Sequence, residues 1–177
     1  RDVPAFEAVQ KLSLLGAVAN NDPDRFHSER PSASLTDLNK KAYRFRPKEL
    51  VTMSEFARMV VMGFQIPLSI TAAHFSDVPR GHPAFHYIET LYDYSTQSYN
   101  PFFDFKIQKE TGESTRVLAY PDQEVTRAKA IKIISGLLGK KVKVWPKVDD
   151  SLTRGEAAQL VYLQKSRGYR RSELLEN

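Results

Sequence analysis

Two of the four histidines have a spacing that could hold a metal ion. His82 and His86 are four residues apart, which can place two ligands on one face of a helix. Zinc would need a third ligand, and the helical zinc-protease motif carries a glutamate directly after its first histidine. Here Pro83 follows His82, so the general base of that motif is missing. We therefore expect no metal and no other cofactor.

No other pattern indicates catalysis. The chain has no cysteine, which excludes disulfides, thiolate metal sites and cysteine nucleophiles. It contains no nucleophile elbow, P-loop or dinucleotide-binding fingerprint. Asp and Glu number 21, but the sequence does not reveal two carboxylates that converge as in a glycosidase. We therefore expect a non-enzymatic protein, with an enzyme built on such carboxylates as the open alternative.

The charge of the chain favours an anionic partner. The formal net charge is +5, and a basic surface attracts nucleic acid, acidic lipid or anionic wall polymer. Two basic runs stand out, and they comprise Lys140, Lys141, Lys143 and Lys147, and Lys165, Arg167, Arg170 and Arg171. No nucleic-acid-binding motif accompanies these runs, so nucleic acid is not expected as the partner. The apolar runs are too short for a membrane span, and none is expected.

A short motif occurs twice, and each copy leads into a helical pattern. Asp2-Val3-Pro4 returns 75 positions later as Asp77-Val78-Pro79. Apolar residues follow each copy at spacings of three and four, which predicts one buried face of a helix. These residues are Phe6, Val9, Leu12 and Leu15 in the first copy, and Phe85, Ile88, Leu91 and Tyr92 in the second. The chain is therefore expected to be a repeat protein.

A second motif occurs three times and predicts three capped helices. Thr52, Thr126 and Thr153 each open a helical pattern, and a threonine at the N-cap accepts a hydrogen bond from the first turn. Glutamate three residues later completes a capping box in two copies, whereas the copy at Thr126 has a lysine. The predicted buried stripes are Phe56, Met59, Val60 and Phe64, then Ile131, Ile134, Leu137 and Leu138, then Ala157, Leu160, Val161 and Gln164.

These motifs divide the chain into two full units and a shortened third. The first unit spans 1–74 and includes a long polar loop at 20–42, and the second spans 75–139 with an insertion at 101–119. The third, 140–177, has room for a capped helix and a basic tail but not for an opening helix. The expected fold is therefore mainly α, built from packed helix pairs.

The two insertions carry different signals. In the second, Phe103, Phe105 and Ile107 alternate with polar residues, Lys109-Glu110-Thr111-Gly112-Glu113 supplies a turn, and Arg116-Val117-Leu118 returns, which predicts a β-hairpin. In the polar loop, Asn20, Asp22 and Asp24 alternate as at the start of a calcium loop. The glycine and the distal glutamate of such a loop are missing, so a turn with an N-cap is favoured over calcium.

Taken in order, the motifs resemble the S-layer homology (SLH) family. The matching segments are Phe75-Ser76-Asp77-Val78-Pro79, Gly81-His82-Pro83-Ala84-Phe85, Phe45-Arg46-Pro47, Thr126-Arg127-Ala128 and Thr153-Arg154-Gly155-Glu156. Each motif is short, and their order and repetition carry the resemblance, which covers most of the chain apart from the insertions and the tail. The resemblance implies an exported protein of the cell envelope whose repeats pack around a pseudo-threefold axis.

The resemblance also implies a ligand. Grooves between SLH repeats bind peptidoglycan-linked wall polymers, and the arginine of the third motif typically meets the acidic group of a sugar. An arginine can grip a carboxylate in two places, and the first turn of a helix also favours an anion. The residues carried over as ligand-binding candidates are Arg127, Arg154, Thr126, Thr153, His82 and Asp77.

Three departures from the SLH pattern keep a second function open. Met53 replaces the arginine in the first unit, Pro83 stands where the family has tryptophan, and the third unit lacks its opening half. At most two grooves are therefore expected to bind glycan. The alternative is a degenerate SLH-like scaffold that binds another envelope protein through the hairpin or the polar loop.

Overall fold

The computed structural model describes five stretches of the chain, which are residues 5–18, 45–69, 72–109, 115–142 and 149–173. The side chains of Ala5 and of residues 167–173 are outside this description. Several predicted features also lie outside the described residues. They are the Asp2-Val3-Pro4 motif, the polar loop 20–42, most of the hairpin turn, Lys143, Lys147 and the side chains of Arg167, Arg170 and Arg171.

Five α-helices and one two-stranded antiparallel hairpin make up the described part, so the prediction of a mainly α fold with an inserted hairpin is confirmed. The helices and strands are α1 (Ala5–Leu14), α2 (Met53–Gly63), α3 (Phe85–Thr96), β1 (Lys106–Lys109), β2 (Thr115–Leu118), α4 (Arg127–Leu138) and α5 (Arg154–Glu173). α5 packs against α1 and α2, and α3 packs against α2 and α4. The two strands pair from Lys106 with Leu118 to Lys109 with Thr115.

The three predicted helix starts are confirmed, including the one that differs. The Thr52 hydroxyl accepts the Glu55 N–H at 3.4 Å, and the Glu55 carboxylate accepts the Thr52 N–H at 3.2 Å. Thr153 and Glu156 make the same reciprocal pair, at 3.3 and 2.9 Å. Thr126 accepts the N–H of the third helical residue at 3.2 Å, but that residue is a lysine and no carboxylate returns the bond.

The segments that precede α2, α4 and α5 join in a closed cycle of hydrogen bonds. The Val51 N–H donates to the Leu152 carbonyl at 2.9 Å, Leu152 donates to Val125 at 2.8 Å, and Val125 donates back to Val51 at 3.0 Å. All three side chains are buried. We call these three residues the central ring. Because backbone groups form the ring, its hydrogen bonds do not depend on which apolar side chains are present.

Most predicted apolar faces are buried, and those of α1 and α4 are confirmed only in part. The faces of α2, α3 and α5 are confirmed, with Gln164 buried among the apolar residues. In α1, however, Phe6 is 71% exposed, and Ala8 and Leu12 form the buried face. In α4 the fully buried positions are Ala130, Ile133 and Ile134. Short helices contact one neighbour at a particular angle, and this contact selects the buried face among several apolar positions at helical spacing.

The hairpin is shorter than the alternating pattern suggested. Its first strand begins at Lys106, whereas Phe102 and Phe103 precede it and are buried in the core. Phe103 lies 5.7 Å from the ring of Phe75, between ring centres. The alternation therefore marks two different environments, a core-filling segment and then an exposed strand. Phe105 and Ile107 are exposed at the point where the segment leaves the core.

Candidate functional site

Arg154 is the first residue of α5, and its side chain is almost completely enclosed by the protein. The side chain is 3% exposed, and Nη1 lies 2.8 Å from Glu55 Oε1 at the start of α2. The guanidinium also lies over the ring of Phe45, 5.1 Å from its centre. Arg154 therefore joins α5 to α2, and it offers a ligand almost no accessible surface.

Arg127 holds the equivalent position in α4 and bridges two carboxylates. Nη2 lies 2.5 Å from Glu156 Oε1 in α5, and Nη1 lies 2.9 Å from Asp150 Oδ2. Its side chain is 19% exposed, and Asp150 is the more exposed of the two carboxylates. A ligand carboxylate would therefore reach Arg127 by displacing Asp150, which can move into water.

The ion pairs of Arg154 and Arg127 follow the same pattern. Arg154 donates its backbone N–H to Glu49 and pairs with Glu55, so both bonds reach the segment and helix of the first unit. Arg127 donates its N–H to Asp150 and pairs with Glu156, so both reach the third unit. In each case the first residue of one capped helix pairs with the third residue of the next helix around the central ring.

The cycle has three positions, each where one capped helix meets the next. At the third, between α2 and α4, the residues are of different types. The Met53 N–H donates to the Gln123 carbonyl at 2.9 Å, which continues the same backbone pattern toward α4. The first-turn position of α2 is thus a methionine, and the third residue of α4 is Lys129. We call the six residues of these positions the first-turn ring, namely Met53, Glu55, Arg127, Lys129, Arg154 and Glu156. It has two ion pairs and one position with neither an arginine nor a glutamate.

The electrostatics of the first-turn ring differ between its members. Burial raises the pKa of Glu156, but the hydrogen bonds from Thr153 and Arg127, with the charge of Arg127, outweigh it and bring the pKa below its usual value. Burial lowers the pKa of Lys129, since Asp104 only partly offsets the effect of burial and Lys132 adds to it. The carboxylate is therefore stabilised in its charged form, whereas the lysine is destabilised in its charged form.

The remaining candidate residues have backbone partners. The hydroxyls of Thr126 and Thr153 cap α4 and α5. The Asp77 carboxylate accepts the N–H groups of Ala119 and Tyr120, at 3.0 and 2.7 Å, and so ties the start of the second unit to the end of the hairpin. His82 Nδ1 accepts the Ala84 N–H at 3.1 Å, at the start of α3. The two threonines thus lie beside the first-turn ring, whereas Asp77 and His82 lie on the segment that leads into α3.

One polar pair was not anticipated from the sequence. Glu89 is fully buried in α3, and its carboxylate accepts the His74 N–H at 2.8 Å and lies 2.7 Å from His74 Nδ1. The His74 ring also packs 4.7 Å from the ring of Tyr92. A signal was present, because Glu89 follows Phe85 by four residues and lies on the predicted buried face of α3. A charged residue on such a face indicates a buried partner.

Two further searches and the comparisons with known proteins complete the description of the site. Within the described stretches, no group of three or more histidine, aspartate and glutamate side chains is arranged to hold a metal ion. None of the described helices is long and apolar enough to cross a bilayer. Neither the known protein families nor the curated proteins include a match to this chain.

Proposed function

We propose that this chain is a non-catalytic, exported module of the bacterial cell envelope that anchors its protein to an anionic, peptidoglycan-linked wall glycan. Its three units would form an SLH-like pseudo-threefold array. The central ring carries this proposal, because three equivalent segments from the three units donate to one another in a closed cycle. A cycle of this kind supports an arrangement of three related units around one axis.

The groove at Arg127 is the best candidate for the glycan. Arg127 is the more exposed of the two arginines, and its partner Asp150 lies mostly in solvent. A sugar carboxylate could replace Asp150 and keep the charge-assisted contact at Nη1, while Glu156 holds the guanidinium in place through Nη2. Arg154 would serve the fold more than the ligand, because the protein buries and pairs it.

The first experiment is a pull-down of the chain on purified peptidoglycan sacculi, with and without their attached polymer. We expect retention that requires the polymer and that weakens about tenfold in Arg127→Lys, because lysine keeps the charge but loses the planar fork. Arg116→Lys, at an exposed strand position, is the matched control. Thermal unfolding of each variant separates a lost contact from a lost fold. Retention that is indifferent to the polymer would refute glycan anchoring.

A second function is favoured by a separate observation. The chain keeps only one partly exposed arginine in the first-turn ring, and the hairpin presents Phe105 and Ile107 at its surface. A degenerate SLH-like scaffold that binds another envelope protein would have these features. This alternative predicts no retention on sacculi and a cross-linked envelope partner that is lost in Phe105→Ser/Ile107→Ser. The Arg127→Lys variant should keep that partner.

A further inference from the structure

An open cleft lies at the far end of α4 from the first-turn ring. It has a volume of about 500 Å³ and is bounded by the segment after α3 on one side and by the last two turns of α4 on the other. The residues that matter for its chemistry are Tyr99, Phe102, Lys132, Ser135, Lys140 and Lys141. Among the described residues that line it, none is acidic.

The floor of the cleft is fixed by the fold. The hydroxyl of the buried Ser95 accepts two hydrogen bonds, from the N–H groups of Phe102 and Phe103, both at 2.8 Å. The Phe102 ring then packs directly on Gly136, where a Cβ atom would overlap it. The segment after α3 is therefore held against α4, and the cleft exists before any ligand arrives. A preformed site avoids the cost of ordering its walls on binding.

The end of α4 brings two lysines to the rim of the cleft. Gly139 has a left-handed backbone, with φ of 58°, and the Lys140 N–H donates to the Ser135 carbonyl at 3.1 Å. The Val142 N–H donates to the Ser135 hydroxyl at 3.0 Å, so the chain turns across the helix end. Lys140 and Lys141 are both exposed there. Lys132, also on the rim, is already paired with Asp104 at 2.5 Å.

An aromatic ring completes the rim. The side chain of Tyr99 is 98% exposed, so both faces of its ring meet solvent beside the two lysines. A sugar ring has an apolar C–H face that can pack on an aromatic ring, while a phenol hydroxyl stays in water. The combination of one such ring and two adjacent ammonium groups suits a ligand that is both a saccharide and an anion.

We propose that this cleft binds one acidic sugar unit, with its carboxylate or phosphate at Lys140 and Lys141 and its ring on Tyr99. The ligand class rests on the proposed wall-glycan function, whereas the place of the site rests on the cleft itself. The cleft would be a second contact for the glycan beside the groove at Arg127, where a ligand must first displace Asp150. A nucleic acid would need a longer basic track with repeated aromatic contacts than this cleft provides.

Backbone NMR titration of the chain with oligogalacturonate, an acidic oligosaccharide of defined composition, tests the cleft directly. We expect amide shifts at residues 98–100, 102 and 139–142, and about tenfold weaker binding in Lys140→Gln/Lys141→Gln. Lys11→Gln/Lys109→Gln removes two exposed lysines elsewhere and should leave binding unchanged. Tyr99→Ala should weaken binding, and Tyr99→Phe should retain it. Shifts confined to other residues, or equal losses in both lysine pairs, would overturn the proposal.

Two further experiments identify the class of ligand and test the cleft independently of the proposed wall anchoring. Inorganic phosphate or a single-stranded DNA oligomer that binds the cleft as tightly as oligogalacturonate would overturn the saccharide assignment. On sacculi, retention that is lost in Arg127→Lys but intact in Lys140→Gln/Lys141→Gln would refute the cleft and leave wall anchoring standing. Conversely, oligogalacturonate binding in the cleft without retention on sacculi would support the cleft and refute anchoring.

Discussion

Equivalent positions of the first-turn ring are occupied by two different kinds of residue pair. Between α5 and α2, and between α4 and α5, an arginine on one helix pairs with a glutamate on the next. At the third position, both partners are different, with Met53 on α2 and Lys129 on α4. The backbone pattern is the same at all three positions, since Met53, Arg127 and Arg154 each donate an N–H to the neighbouring segment.

This difference suggests a distinction between interactions that the fold needs and interactions that it can exchange. Removing one partner of a buried ion pair strands a charge and costs about 3 to 5 kcal/mol, whereas replacing both is often close to neutral. The third position carries neither an arginine nor a glutamate, so no half of such an ion pair stands there without the other. The central ring is made by backbone groups and is therefore indifferent to the exchange. Four predictions test this view.

The largest effect is expected at the most buried ion pair. Arg154→Met copies the residue of the third position but leaves Glu55 without its partner. We expect the free energy of unfolding, measured by urea denaturation, to fall by about 3 kcal/mol. Lys48→Met, at an exposed position before α2, should change it by less than about 0.5 kcal/mol. A loss at Arg154 no larger than this control would show that the pair contributes little to the fold.

The third position should accept an ion pair if both residues are changed. Met53→Arg alone places a cation at a buried position, and we expect it to cost about 2 kcal/mol. Lys129→Glu alone supplies the missing half of the capping box. Together they should couple favourably by about 1 to 2 kcal/mol in a double-mutant cycle, read from urea denaturation. Additive effects would mean that Met53 and Lys129 do not face each other as their counterparts do.

The carboxylate of an intact pair should make stability depend on acid pH. The pKa of Glu156 is lowered in the folded state, so its contribution is complete above its unfolded pKa of about 4.3 and is lost as pH falls through the folded pKa. Glu156→Gln should therefore cost about 1 kcal/mol at pH 7 and much less at pH 2.5, measured by urea denaturation at both values. Asp122→Asn, at an exposed carboxylate, controls for the loss of one charge. A loss of unfolding free energy in Glu156→Gln that is the same at both pH values would contradict the prediction.

The sequence is informative about single helices and less so about the contacts between units. The capping motifs predict the starts of α2, α4 and α5, and even the one-sided cap at Thr126, because these bonds form within four residues. The partners of Arg127 and Arg154 belong to other units, so their identity depends on the order of the units around the central ring. The buried face of α1 was predicted only in part, with Leu12 correct, Phe6 wrong and Ala8 missed, because the contact with α5 selects that face.

The candidate site shows the same limit. The sequence identifies Arg127 and Arg154 as equivalent residues of a repeated motif, but their exposure differs because Phe45 and Glu55 enclose only Arg154. The sequence identified the basic run that begins at Lys140 only as a cluster of positive charge. Its relation to Tyr99 depends on the buried Ser95 and on Gly136, which bring two distant segments together. Contacts of this kind follow from tertiary packing, which local patterns do not specify.

The smallest effect is expected from removing the odd cation of the first-turn ring. Lys129 lies in the first turn of α4, where the helix dipole also disfavours a positive charge, and burial lowers its pKa. Its charge therefore costs stability below the folded pKa, and that cost fades as pH rises through the folded pKa toward the unfolded value of about 10.4. Lys129→Met should stabilise the protein at pH 7 by up to about 0.5 kcal/mol.

The difference in stability between Lys129→Met and the parent protein should be smaller at pH 10 than at pH 7. Thermal unfolding at the two pH values measures it. Lys48→Met, which removes an exposed lysine, controls for the change in net charge. A destabilised Lys129→Met variant would show that the lysine supports the array, for example through its attraction to Asp104. A stabilised one would mean that the third position tolerates Lys129 without needing it, in contrast to Arg127 and Arg154 at the two intact positions.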